Sequence, residues 1–169
     1  MITIDGGTGK IMHNGLNVAA PPMVDQWRLD DTSVNGTNII SSGWERCDDS
    51  TFVKIGTGMS ESSGIFTFPQ TGVYLVKMTY CYSSNGISYL GVKIYGTTDN
   101  SSYTDIADNY DGSVGGSQYS AGYVEGIFDC ANTSTHKVAI YGSTPSSATM
   151  AGAGNKHRSG VTFIRLGDT

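Results

Sequence analysis

The stretch ESSGIFTFPQTGVYLVKM, Glu61 to Met78, decides the fold. Two β-forming strings, Ile65 to Phe68 and Val73 to Val76, stand on either side of Pro69-Gln70-Thr71-Gly72. Proline removes a backbone donor and glycine reaches conformations closed to other residues, so this tetrapeptide ends one strand and frees the chain to start another. Neither string carries the i, i+3, i+4, i+7 apolar spacing of a helix.

Working outward, the same pattern recurs. Short apolar runs are punctuated by Gly, Ser, Asn and Asp over most of the chain, as in a sandwich or barrel. Expected strands are Val24–Leu29, segments near Ile39 and Ile40 and near Trp44, then Phe52–Ile55, Ile65–Phe68, Gly72–Tyr82, Ile87–Gly96, Gln118–Cys130, His136–Gly142 and Gly160–Gly167. In the long strand, Tyr74, Val76, Met78 and Tyr80 share one face. Val73, Leu75 and Cys81 share the other with Lys77 and Thr79, so both faces are rather apolar. One face meets the second sheet of a sandwich. The other needs a partner, because monomers rarely leave such patches in water. A closed oligomer follows as the expectation. Its interface candidates are Tyr80, Tyr82, Tyr89, Tyr95 and Tyr141, since Tyr joins a large contact area to a polar tip. The same rings could also stack on sugar.

Residues 1–22 read differently from the rest. A short strand opening ITIDGGTGKIMHNGLNVAAPP, a turn at Asp5-Gly6-Gly7 and a Pro21-Pro22 end suggest a hairpin-like arm and a stiff linker. The main domain then spans 23–169. Ile2, Ile4, Ile11, Met12 and Leu16 are the arm's apolar anchor candidates.

Composition narrows the partners. The chain has 169 residues, 23 of them Gly, with 15% charged residues and a net charge of −5. That length suits one domain able to bury a core without disulfides. The ten Lys and Arg are scattered singly, which excludes a basic face for nucleic acid or an anionic membrane. No apolar run approaches the about 18 residues of a membrane span, and no signal-peptide pattern opens the chain. Cys47, Cys81 and Cys130 form no CxxC pair and read as free, mostly buried thiols of a protein folded in a reducing cytoplasm.

Several motifs invite chemistry and fail its spacing. Gly6 to Lys10, GGTGK, lacks the upstream Gly and the following Ser or Thr of a phosphate loop. Gly56 to Glu61, GTGMSE, lacks the third Gly of a dinucleotide loop. Asp105 to Gly116, DIADNYDGSVGG, resembles a calcium loop, but with Gly112 at the sixth position Ala107 and Gln118 occupy the first and twelfth, where carboxylates belong. An irregular calcium site at Asp105, Asp108 and Asp111, on a loop, stays open, as does a weaker one at Asp48 and Asp49. His13, His136 and His157 sit in distant segments with no nucleophile beside them. Glu45, Glu61 and Glu125 are the only glutamates and form no pair for glycoside hydrolysis. No catalytic residue and no cofactor is expected.

Gly64, Phe66, Thr67, Gly72 and Tyr74 fall in the register G-x-F-T-x-x-x-x-G-x-Y, which resembles the C1q/TNF-like jelly rolls. RSGVTFIRLG, Arg158 to Gly167, resembles that family's closing strand. Thr71 stands where the family usually has Pro, and Val76 where an aromatic is usual. The resemblance implies an all-β jelly-roll sandwich over 23–166 and a homotrimer. A second resemblance lies in whole phrases: ITIDGGTGKI, DQWRL, WERCDD, FVKIGTGMSESSGIFTFPQTGVYLV and FIRLGDT look like virion structural proteins of tailed phages, especially marine ones. It implies a trimeric capsid decoration or head-fibre protein, made in the host bacterial cytoplasm, held on the major capsid protein or another virion protein by its arm. The alternative it implies is a tail-fibre or tail-tip module that binds a host surface glycan.

Overall fold

The protein is described by a computed structural model over residues 2–4, 11–13, 16–17, 22–30, 33–85, 89–112, 117–144 and 148–169. In chain order the strands begin with β1 (Ile2–Ile4), β2 (Ile11–His13) and β3 (Leu16–Asn17). Next come β4 (Val24–Leu29), β5 (Ser33–Val34), β6 (Thr37–Ile39), β7 (Trp44–Arg46), β8 (Ser60–Ser62), β9 (Ile65–Thr67) and β10 (Gly72–Asn85). The last are β11 (Leu90–Thr97), β12 (Thr104–Asp111), β13 (Ser117–Cys130), β14 (Lys137–Ser143), β15 (Ala148–Ala151) and β16 (Gly160–Gly167). β1, β2 and β3 form a small antiparallel sheet of their own, with Ile4 opposite Ile11.

The remaining strands make the two sheets of a jelly roll. Sheet one runs β13–β10–β16–β4–β7, and β15 and β5 extend it beyond the end of β16. Sheet two runs β12–β11–β14–β9–β8, with β6 beside β14. Every pairing is antiparallel. The fold class read from the sequence is therefore the observed one.

The core lies between the sheets, where the period of two puts it. Tyr74, Val76, Met78, Tyr80 and Tyr82 of β10 face inward and are buried. They meet Phe66, Phe68, Leu90, Val92, Ile94, Val138, Ile140 and Phe163. Aromatic rings form the centre. Phe68 lies 4.5 Å from Tyr74 and 5.3 Å from Phe128, and Phe66 lies 5.2 Å from both Trp44 and Phe163. Such offset and edge contacts are worth about 0.5–1.5 kcal/mol each beyond area burial.

Pro69 to Gly72 is a corner between sheets, since β9 belongs to sheet two and β10 to sheet one. Tyr74 Oη donates to Gln70 O at 2.8 Å and pins the corner to the strand that leaves it. Arg165 Nε donates to Thr71 O at 3.0 Å. Gly72 has φ +147°, and a Cβ there would stand 2.5 Å from Arg165 Nε and from Gly167 O.

Two expectations change. Phe52–Ile55 is no strand: only Ile55 makes a bridge, to Val24, and Val53 is well exposed. The expected loop from Asp105 is instead the edge strand β12, with positions 113–116 outside the described residues. Its polar side chains hid it, because an edge strand leaning on solvent needs no apolar alternation.

Candidate functional site

The strand that is apolar on both sides leads to the outer face of sheet one. Register carries one row straight across it. Ile55 bridges Val24, Val24 pairs with Ile164, Ile164 with Leu75, and Leu75 with Ile127. Aliphatic side chains thus cross the face in line, and Ile55 and Ile127 at its ends are 43% and 57% exposed. The next row is polar: Gln26, Thr162, Lys77 and Glu125, with Lys77 Nζ 3.7 Å from the Glu125 carboxylate. Tyr123 follows beside Thr79, its ring 4.5 Å from Lys77 Nζ, and Tyr119 stands four residues away along β13, 76% exposed. Cys81, half-buried, lies between them on β10.

The tyrosines singled out in the sequence divide. Tyr80 and Tyr82 lie in the core, because they share the inward register of Met78. Tyr82 Oη donates to Gly91 O at 3.0 Å, and Tyr80 packs over Gly122, so neither reaches a partner from this fold. Tyr95 and Tyr141 stack at 4.7 Å on the outside of sheet two, and Tyr89 meets Tyr110 edge-on at 6.0 Å. Sequence reasoning missed Tyr119 and Tyr123. Their alternation along β13 with inward-facing Ser120 and Val124 was the available signal.

The arm's anchor candidates Ile2, Ile4, Ile11, Met12 and Leu16 fall on β1, β2 and β3, and their side chains lie outside the described residues.

The calcium candidates do not converge. Asp105 holds Lys93 Nζ at 2.6 Å on sheet two, whereas Asp111 accepts from Ser120 Oγ of β13. Asp48 and Asp49 are likewise engaged by a cation of the chain. Among the described residues no three His, Cys, Asp or Glu are grouped to hold a metal.

That cation is Arg28, which faces outward on β4 and is nevertheless buried. Its Nε and Nη2 donate to Glu45 Oε2, both at 3.1 Å. Nη2 also reaches Asp48 Oδ1 at 2.6 Å and the Gly154 carbonyl, and Nη1 reaches Asp49 Oδ2 at 2.6 Å. One guanidinium thus ties residues 45–49 and residue 154 to the sheet. On the inner side of β4, fully buried Asp25 accepts from Trp27 Nε1 at 3.0 Å, Arg46 Nε at 3.0 Å and the Met59 amide at 2.8 Å. Charge-assisted bonds of this kind are about twice as strong as neutral ones.

Between the two tethered loops, above Gln26, lies a cavity of about 480 Å³. His157 forms part of its wall, with Nδ1 3.3 Å from Thr79 Oγ1 and Nε2 buried without a partner. Burial holds this imidazole below its ordinary pKa, and neighbouring Arg28 adds to the effect. The same burial raises the Cys47 thiol in that wall, so it is no poised nucleophile.

Comparison with solved structures fits this architecture. The S. frugiperda Eiger TNF structure superposes with a TM-score of 0.67 over 89% of this chain and 96% of that one, at 12% identity. Murine APRIL superposes with a TM-score of 0.64 over 86% and 99%, also at 12% identity. The fold is a TNF-like jelly roll. At that identity the likeness concerns the fold alone. No protein-family model matches the chain, and no curated protein matches it.

Proposed function

We propose that this chain is a non-enzymatic virion surface protein: a homotrimeric capsid decoration, with its TNF-like jelly roll projecting outward and residues 1–22 holding the capsid. The observation that carries self-association is the aliphatic row from Ile55 to Ile127. It crosses a whole sheet face in register, with exposed Tyr119 and Tyr123 beside it, and water is a poor partner for such a face. Closed symmetry buries it once in every copy, and the C1q/TNF-like sequence register favours three. The phage setting rests on the phrase resemblance over residues 2–11, 25–29, 44–49, 52–76 and 163–169.

Light scattering after gel filtration tests the assembly: three chain masses are expected, and a single chain mass at micromolar concentration overturns it. Removing residues 1–22 is expected to abolish capsid binding and leave a folded trimer. Electron cryomicroscopy of intact particles decides the location. Density on the capsid exterior supports the decoration reading, and density at the tail replaces it with the tail-tip, glycan-binding one.

A further inference from the structure

The geometry points to the cavity between residues 47–52 and 154–157 as a binding site for a small neutral saccharide. This inference concerns one chain's own loops and stands apart from where the protein sits on a particle.

Four observations build the site. First, its walls are held before any ligand arrives. Buried Arg28 bonds to Glu45, Asp48 and Asp49 on one side and to Gly154 on the other, so the two loops cannot drift independently. Preorganised walls spare a ligand the entropy of ordering them. Second, the guanidinium is buried and engaged. Three carboxylates and a carbonyl hold it beneath the wall, and at 1% exposure it is out of reach of a phosphate or carboxylate ligand. Third, the lining is polar and mixed in sign. Gln26, Thr51 and Asn155 bring amides and a hydroxyl, Asp49 and Lys156 bring opposite charges, and Phe52 brings one ring. Amides and hydroxyls both donate and accept, as sugar hydroxyls require, and an aromatic face accepts the C–H side of a pyranose. Fourth, about 480 Å³ falls in the usual range for small-molecule sites, roughly 300–1,000 Å³. A mono- or disaccharide fits such a volume.

Other ligand classes fit less well. A metal ion would need a carboxylate cluster, and these carboxylates already serve Arg28. An apolar ligand would cover the Asn155 amide and Gln26 Oε1, the Gln26 Nε2 being bonded already to Thr162 Oγ1, and leaving them without partners costs free energy.

The test titrates the full chain with glucose, galactose, N-acetylglucosamine and rhamnose, each followed by saturation-transfer and amide-shift NMR, with inorganic phosphate as the contrasting probe. At least one sugar is expected to give saturable shifts confined to residues 47–52 and 154–157, with weak affinity in the millimolar range. Asn155→Ala, on an exposed loop position, should weaken binding about tenfold while leaving the spectrum otherwise intact. Phe52→Ala should abolish the saturation-transfer signal of the bound ring. Absence of saturable shifts with all four sugars overturns the inference. So does binding unchanged in both variants, or phosphate binding in preference to sugar.

Discussion

A methyl group at position 72 would meet Arg165 and the Gly167 carbonyl at 2.5 Å, on a backbone with φ +147° that side chains rarely adopt. Gly72→Ala should therefore cost about 1–3 kcal/mol, read from the urea midpoint. Gly167→Ala meets nothing within 4 Å and should change stability by less than about 0.5 kcal/mol. His157 makes a second prediction at this scale. Burial depresses its pKa below the ordinary 6.5, so the folded chain binds this proton less readily than the unfolded chain. The stability tied to the neutral ring is complete above pH 6.5 and is lost as pH falls from there through the folded value. Chemical denaturation across that window should show the decline, and His157→Gln should flatten it. Both residues differ in how readable they were. Gly72 announces itself through local turn chemistry, next to Pro69 and before Tyr74. His157 gains its setting only when Thr79 and Arg28 arrive from other strands, and no local pattern records that.

Among the elements, β10 is paired along its whole length by β13 on one side and by β16 and β15 on the other. β12 pairs with β11 and forms the edge of sheet two. Native-state hydrogen exchange should follow that difference, with amides of Tyr74 to Tyr80 slowest and those of Asp108 to Asp111 among the fastest in the strands. Equal protection would contradict the pairing. The same contrast explains what was legible. β4, β10, β11, β13, β14 and β16 carry apolar alternation because each packs one face on the core, and their spans were close to those expected. β12 was missed because most of its residues face solvent, and β8 because Ser60 and Ser62 give it no pattern at all. Phe52–Ile55 misled in the opposite direction. Its β-forming composition serves a covering loop that places Phe52 at the cavity and Ile55 at the end of the aliphatic row.

At the scale of the whole molecule, the proposed assembly rests on exposed side chains that the core does not need. Ile55→Asp combined with Ile127→Asp should leave thermal unfolding cooperative and bring the light-scattering mass down to one chain. A trimer that survives both changes would remove the aliphatic row from the interface. The sequence suggested an interface from the two apolar faces of β10, yet assigned part of it to Tyr80 and Tyr82, whose inward register only the pairing with core neighbours makes plain. β16, residues 160–167, lies between β10 and β4, so a strand that follows both of them in chain order is central to their sheet. Until it leaves the ribosome, β4 and β10 each present an open edge, and edges of that kind recruit other chains. Sheet one therefore closes only after translation has passed Gly167, and contacts this distant in sequence form slowly. A growing chain of this design needs protection from its siblings on the same message, and a chain stopped at residue 158 should be recovered as aggregate rather than as a smaller folded domain.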